Sequence, residues 1–507
     1  MNARTRVTSA ATADVCLVLE GTWPYVRGGV SGWVHQLILG LPEVTFNVLF
    51  IGGQRRAYGE RRYTVPANVL RIDEVFLEDA WLERPGRRKA PKVAQADMDT
   101  LYRYFHHPEA PTAALGHQWL EAVVAGRLSL EAVRSSRASW NAATEDYLAH
   151  CEDPSFVSYF WTVRAMQAPL LLLAETARQL PRARLVHTVS TGYAGLVASL
   201  LGHRWGCGSV LSEHGIYTKE RKIDLAQASW IAESSDQALN VALASGHSYI
   251  RTLWIRFFER IGSLVYDHTD HIIALYEGNR QRQLQDGARA ERTRLIPNGI
   301  DLPQWASALE QRAPGIAPVV GLIGRVVPIK DVKTYLRALR GVINARPEVQ
   351  GWIVGPEDED PEYVAECRSL VISLGLEGKV LFRGFQRIQE ILPQLGLMVL
   401  TSISEAQPLV ILEAWAAGTP VVSSDVGSCR EMIEGVGSED RALGVAGEVV
   451  PIADPQATAG AILALLGDAP RWHQAQATGL ARVRRYYTEA LMLDQYRQLY
   501  RTALEKP

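Results

Sequence analysis

Residues 404–422 read SEAQPLVILEAWAAGTPVV, and the way they fold decides how the rest of the chain is read. Pro408 fixes φ and lacks an N–H, so it suits the first turn of a helix. Gly418 suits the residue just past the helix end. The segment therefore predicts a strand LMVLTS, a loop ISEAQ, a helix PLVILEAWAA and a second strand TPVVSS. Glu405 then lies at the carboxyl end of a strand, where open α/β sheets bind ligands. Glu413 lies about one and a half turns into the helix, about 7 Å along its axis from Pro408 at 1.5 Å per residue. Leu409 and Val410 carry first-turn N–H groups without helical partners, at the positive end of the helix dipole. Two acceptors suited to sugar hydroxyls thus flank amides suited to a phosphate. The other reading stays open: Glu405 as a helix-end acid and Glu413 as a solvated charge. Val410, Ile411, Leu412 and Trp415 weigh against it, because they bury much of the helix and a buried carboxylate needs a partner.

Outward from this stretch, short β-branched runs alternate with longer helical patterns, which indicates parallel sheets covered by helices. DVCLVLEG, FNVLFIGG, RLVHTVS, SVLSEHG and HIIALYEG form one series. PVVGLIG, QGWIVG, KVLFRGF, LMVLTS and TPVVSSD form a second after residue 315. RLIPNGIDLPQW lies between them, and its Pro-Asn-Gly group reads as turn chemistry at a hinge. The expected architecture is α/β: residues 1–305 as one Rossmann-like domain, 306–485 as a second, and 486–507 as a C-terminal helix returning to the first. Helical insertions are expected at about 75–180 and 216–265. In the second, YIRTLWIRFFERIGSLVY places Ile250, Leu253, Trp254, Phe257, Phe258, Ile261, Leu264 and Val265 at helical spacing, with Arg251, Arg256 and Arg260 opposite. A core helix with a solvated basic face and a membrane-surface helix both fit that pattern.

A chain of 507 residues exceeds what one core organises, and a content 47% hydrophobic and 21% charged is that of a soluble globular protein. A formal net charge of -2 offers no basic surface for nucleic acid. Cys16, Cys151, Cys207, Cys367 and Cys429 are scattered, without a C-x-x-C pair, which fits reduced thiols rather than disulfides or zinc. The opening residues make a poor secretory signal, and no apolar run approaches a membrane span. A cytoplasmic protein without a transmembrane segment is expected.

EAQPLVILE resembles the E-x7-E signature of the GT-B glycosyltransferases, in the large retaining GT4-type family that includes sucrose synthases and many polysaccharide enzymes. GLIGRVVPIKD, GWIVGP, VLFRGF and LTSISEAQPLVILEAWAAGTPVV are similar to that family in order and spacing. The resemblance implies a GT-B fold, two Rossmann-like domains facing across a cleft. It implies that Glu405 binds the transferred sugar and Glu413 the nucleotide ribose. Arg325 and Lys330 of GRVVPIKD would grip the diphosphate and steady the departing charge, with Asp331 capping the next helix. Family members often carry Gly where Gln407 stands.

In the first half, LEGTWPYVRGGVSGWVHQ and SEHGIYTKER resemble the Pel exopolysaccharide glycosyltransferases. Gly28 and Gly29 would let backbone approach the substrate, although a plain tight turn explains them equally. His187 and His214 each end an expected strand; either can be a satisfied structural histidine, and the resemblance points to His214 as the one touching the donor sugar. The implied activity is transfer from a UDP-sugar, commonly UDP-glucose, to a polysaccharide acceptor, with retention. No metal or other cofactor is implied, and EDEDPEY reads as a solvated acidic loop. Inner-membrane synthesis and export proteins are the implied partners, with recruitment to that membrane. A GT-B-shaped scaffold subunit without catalysis is the alternative; a nicotinamide oxidoreductase lacks the G-x-G-x-x-G fingerprint. Trp119, Trp140, Tyr159 and Trp161 suit either packing within the insertion or an acceptor platform.

Overall fold

The computed structural model describes residues 12–82, 92–109, 112–151, 155–227 and 249–505. The chain forms two compact units. One comprises the chain through Ala274, then Arg280–Arg294 and Arg497 onward; the other comprises Leu275–Asn279 and Leu295–Tyr496.

The first unit is built on seven strands: β1 (Val15–Glu20), β2 (Phe46–Gly52), β3 (Val69–Phe76), β4 (Leu185–Thr188), β5 (Gly208–Glu213), β6 (His271–Ala274) and β7 (Thr293–Leu295). Their order is β3-β2-β1-β4-β5-β6-β7. The pairs from β3 through to β6 are parallel, with Val18 of β1 in register with Leu49 on one side and Thr188 on the other. β1, β2 and β5 are almost wholly buried, as strands covered on both faces must be.

Between β3 and β4 the described residues form six helices, Leu77–Leu82, Gln95–His106, Thr112–Val124, Leu130–Ser135, Arg137–His150 and Phe156–Gln179. Between β5 and β6 lie Tyr217–Gln227 and Tyr249–His268; residues 228–248 of the expected second insertion fall outside the described residues. Helix Tyr249–His268 is a core helix. Leu253, Phe257, Phe258, Ile261, Leu264 and Val265 are buried in the unit's main apolar cluster, and Ile250 and Trp254 pack against it. Its basic side is not simply solvated, which corrects that expectation. Arg256 donates to the His106 carbonyl, and Arg260, itself buried, donates to those of His107 (2.8 Å) and Pro108 (3.1 Å). Trp119 and Tyr159 are fully buried, whereas Trp140 and Trp161 are half exposed, so the four aromatics share no single role.

The second unit is a six-stranded parallel sheet: β8 (Val319–Ile323), β9 (Gln350–Val354), β10 (Val380–Gly384), β11 (Leu397–Leu400), β12 (Val421–Ser424) and β13 (Gly447–Val450). Their order is β10-β9-β8-β11-β12-β13. The chain crosses from β10 back to β11 beside β8, which makes β8 and β11 the switch point where α/β sheets bind ligands. The expected border at residue 305 lies inside this unit, because Ile300 and Trp305 are buried in its core. The Pro-Asn-Gly segment is tied there too: Ile300 bridges to Thr488, and a Cβ on Gly299 would lie 2.3 Å from the Thr488 carbonyl. The last helix begins in this unit, while Arg497 and Tyr500 belong to the first. There Arg497 meets Glu43 at 2.7 Å and the Tyr500 hydroxyl meets His187 Nδ1 at 2.6 Å. All five cysteines are free. No described helix is long and apolar enough to cross a membrane.

Candidate functional site

At the carboxyl edge of the second sheet, the loops after β8 and β11 are laced together by backbone. Thr401 Oγ1 donates to the carbonyls of Lys330 (3.0 Å) and Asp331 (2.9 Å), and the Ile403 amide donates to the Ile329 carbonyl at 2.9 Å. This lacing brings two of the sequence candidates together: the Lys330 ammonium pairs with Glu405 Oε1, both largely shielded from solvent. Ser402 Oγ donates to the same oxygen at 2.7 Å. Asp331 adopts φ +43 and caps helix Val332–Ala345 by accepting from the Thr334 amide. Arg325 behaves differently. Its guanidinium turns to Glu359 at 2.5–2.6 Å, both side chains half exposed, and not to Glu405. The acidic loop is therefore used as well: Glu357 pairs with Arg368, and Asp360 caps helix Pro361–Ser373.

The loop carrying Glu405 is clamped from below. Gly427 has φ +53, and a Cβ there would lie 2.3 Å from the Glu405 carbonyl, so only glycine lets the two loops touch. Ser428 N–H donates to the Ala406 carbonyl at 2.8 Å, and Ser424 Oγ to the Ser402 carbonyl at 2.6 Å. Gln407, where glycine is common in the similar family, ties this loop to the Pro-Asn-Gly segment, since its Oε1 accepts the Asn298 N–H at 2.7 Å.

The decisive helix runs Leu409–Ala416, with Pro408 at the N-cap rather than in the first turn. Gly418 follows its end with φ +72, as its sequence position implies. The Leu409 and Val410 amides have no acceptor among the described residues. The Glu413 carboxyl has no hydrogen-bond partner there either, and burial pushes it up from 4.5 to about 7. A carboxylate kept in this state costs stability. Between about pH 4.5 and 7 the folded chain holds a proton that the unfolded chain has released, so stability falls as pH rises through that window. Glu413→Gln is therefore expected to raise the melting temperature at about pH 8 and change it little at about pH 5. Parallel thermal-unfolding profiles for the two proteins would show that Glu413 is not strained.

In the first unit, Gly28 is extended (φ 172) and Gly29 opens helix Gly29–Gly40. A Cβ on either would meet nothing within 4 Å, so neither glycine is required by local packing. His187 is the structural histidine: fully buried, Nδ1 on Tyr500 and Nε2 on Ser212 Oγ at 2.8 Å, and depressed by burial to about 3. His214 follows β5, packs edge-on to Trp33 at 4.6 Å, and is depressed by burial to about 4, which keeps it neutral at pH 7.

His214 also lines a cavity of about 560 Å³ at the carboxyl ends of β1, β2, β4 and β5. Its polar wall includes Glu20, Tyr217, Glu220 and Arg221, which lie in the LEGTWPY and SEHGIYTKER stretches but are assigned no role from the sequence. Burial raises the carboxyls of Glu20 and Glu220. Glu20 accepts from the Ala194 amide and the Tyr217 hydroxyl, each at 3.3 Å. Its position as the last residue of β1, just before a glycine, was the available signal. Glu213, by contrast, is structural, satisfied by Thr191, Tyr266 and Gln283.

Residues 13–291 match the family described as Domain of unknown function (DUF3492), and residues 317–468 match Glycosyl transferases group 1. The chain belongs to the DUF3492 family and carries a group 1 glycosyltransferase domain. A lipopolysaccharide core biosynthesis mannosyltransferase, LpsB, of Rhizobium meliloti is 32% identical over 198 residues, 37% of this chain and 54% of that protein. A D-inositol 3-phosphate glycosyltransferase of Nocardia farcinica is 29% identical over 317 residues, 59% of this chain and 62% of that protein. The chain thus spans between half and two thirds of the length of these two relatives. Among solved structures, Anabaena Alr3699/HepE in complex with UDP aligns with a TM-score of 0.58 at 16% identity, covering 96% of this chain and all of that one. The sucrose-phosphate synthase of Thermosynechococcus elongatus aligns at 0.57 and 20% identity, covering 96% and 98%. The fold is accordingly GT-B, as the resemblance implied.

Proposed function

We propose that this protein is a retaining glycosyltransferase that moves a sugar from a UDP-sugar, UDP-glucose, to a growing polysaccharide in Pel-type exopolysaccharide biosynthesis. The observation that carries the reading is Glu413, a partly buried carboxylate with no partner among the described residues, about one turn behind two unbonded helix amides. That arrangement suits a ribose diol followed by a diphosphate. Lys330, Glu405 and Ser402 form the adjacent cluster in which the transferred sugar would sit, with Glu405 accepting its hydroxyls and Lys330 meeting the leaving phosphate. Arg325 would exchange its exposed Glu359 for the diphosphate. A uridine diphosphate donor is supported by Alr3699/HepE, a protein of the same fold solved with UDP-glucose. The reaction needs no metal on this reading, since the cations are supplied by side chains. His214, neutral at pH 7, would serve as a hydrogen-bond partner to the donor sugar, and Gly28 and Gly29 would leave room beside it. The proposed site of action is the cytoplasm, recruited to inner-membrane synthesis and export proteins.

The test is calorimetry with UDP. A charge-assisted hydrogen bond contributes about 1.5–3 kcal/mol, so Glu413→Ala should weaken UDP binding roughly 10- to 100-fold. Glu405→Ala should leave UDP affinity nearly intact while removing turnover of UDP-glucose. Equal UDP affinity in the wild type and Glu413→Ala would overturn the assignment of the ribose site.

A further inference from the structure

The helical insertion of the first unit holds a cluster that plays no part in the proposed transfer. Helix Gln95–His106 ends in the sequence HHPE, residues 106–109, beside helix Arg137–His150, whose last turn is DYLAH, residues 146–150. Asp146 is almost completely buried and stands at the centre. Its Oδ1 faces His107 Nε2 at 2.9 Å and His150 Nδ1 at 3.5 Å; its Oδ2 faces His106 Nδ1 at 2.8 Å and accepts the Tyr159 hydroxyl. His107 Nδ1 in turn lies 3.3 Å from Glu109 Oε1. Ligand atoms of His107, Asp146 and His150 all lie within 4.8 Å of one another.

Hydrogen bonding alone accounts poorly for His107. A neutral imidazole has one N–H, yet both ring nitrogens face carboxylate oxygens, so a neutral ring leaves one contact between two acceptors, and only an imidazolium or a bound cation satisfies both. A cation at Nε2 resolves this: Nδ1–H then donates to Glu109, the carboxylate–imidazole arrangement that orients metal-bound histidines. The spacing agrees. Tetrahedral zinc, bonded to nitrogen and oxygen at about 2.0–2.1 Å, separates its ligands by about 3.3 Å. The observed 2.9 and 3.5 Å bracket that value, and an ion at His150 Nδ1 would replace the contact that this nitrogen makes with the Asp146 carbonyl at 3.2 Å. Two imidazoles and one carboxylate select zinc-like ions over calcium or magnesium, which take oxygen ligands.

We propose that His107, Asp146 and His150 bind a single divalent transition-metal ion, zinc by its ligand set, with solvent in the fourth position beside the half-exposed His150. His106 and Tyr159 hold the second carboxylate oxygen of Asp146, and Glu109 holds the His107 ring. Arg256 and Arg260 pack against the same turn but are committed to the carbonyls of His106, His107 and Pro108. The ion would join the end of one insertion helix to the end of the next. None of its three ligands lines the cavity at β1 and β5.

Zinc titration of the metal-free full chain by calorimetry tests this. The wild type should bind one zinc ion more than the His107→Ala/His150→Ala double variant. His150→Gln, at a half-exposed position, should fold normally and weaken binding at least roughly tenfold. Zinc should raise the melting temperature of the wild type more than that of His150→Gln. Cobalt in place of zinc should show no thiolate charge-transfer band. The same zinc stoichiometry and affinity in the double variant would overturn the proposal, and so would a thiolate band, which would place the metal on a cysteine such as Cys151.

Discussion

Lys330→Ala is expected to lower turnover of the sugar donor about 10²- to 10³-fold, the usual loss when one preorganised group facing developing charge is removed. Cleavage of the bond between sugar and phosphate leaves negative charge on the β-phosphate, and that charge is larger in the transition state than in the bound donor. A cation helps most when it is already in place. Lys330 meets this condition: Thr401 Oγ1 holds its carbonyl and Ile403 pairs with the preceding residue, so the loop needs no reorganisation. Its ammonium pairs with Glu405, which holds the two groups beside each other. The same geometry limits the structural damage. Glu405 keeps the Ser402 hydroxyl when Lys330 is removed, so the variant should fold. Lys330→Arg keeps the charge but spreads it over a planar fork, and should recover only part of the rate. Saturating-donor kinetics, with the melting temperature as control, decide the matter; wild-type turnover in a folded Lys330→Ala protein would remove Lys330 from the reaction.

The fold was largely legible because buried parallel strands are short apolar runs, and β1, β2, β8 and β11 are of that kind. β3 escaped because VLRIDEVF carries charges on a half-covered edge strand, where Arg71 pairs with Asp73. β13 escaped because GEVV is four residues long at an edge of the second sheet. In the site, Glu405, Lys330 and Glu413 stood out through proline, glycine and strand-end positions, which are local signals. Arg325 did not carry its partner in the sequence: Glu359 lies 34 residues away, and only the fold places it alongside. Gly427 and Gln407 were hidden for the same reason, since one is required by a loop and the other satisfies an amide that is distant along the chain. Glu20 ends a strand as plainly as Glu405 does, but nothing near it in sequence announces Tyr217 and Arg221, which share its cavity.

Arg482→Met is expected to destabilise the second unit by about 3–5 kcal/mol, more than most single substitutions. Arg482 is completely buried and all of its donors are engaged. Nε meets Asp440 Oδ1 at 2.6 Å; the two terminal nitrogens meet the carbonyls of Ile433 (2.7 Å), Gly444 (2.8 Å), Asp440 (2.9 Å) and Met432 (3.2 Å). Methionine fills similar volume but leaves four carbonyls short of a donor and the Asp440 carboxylate with only the Val436 amide. The cost arises mainly from the stranded acid, so adding Asp440→Leu to Arg482→Met should restore a large part of the stability. Equal destabilisation in the single and double variants would assign the effect to lost packing instead. The consequence reaches the candidate site. Helix Ala469–Tyr486, which carries Arg482, packs on helix Leu409–Ala416 so closely that a Cβ on Gly479 would lie 2.5 Å from the Trp415 ring. The Trp415 indole is fixed in turn by the Ala446 carbonyl at 3.2 Å. The helix that carries Glu413 rests on this wall. Loosening the wall should admit water, lower the Glu413 carboxyl toward its ordinary value, and weaken UDP binding even where Arg482→Met remains folded.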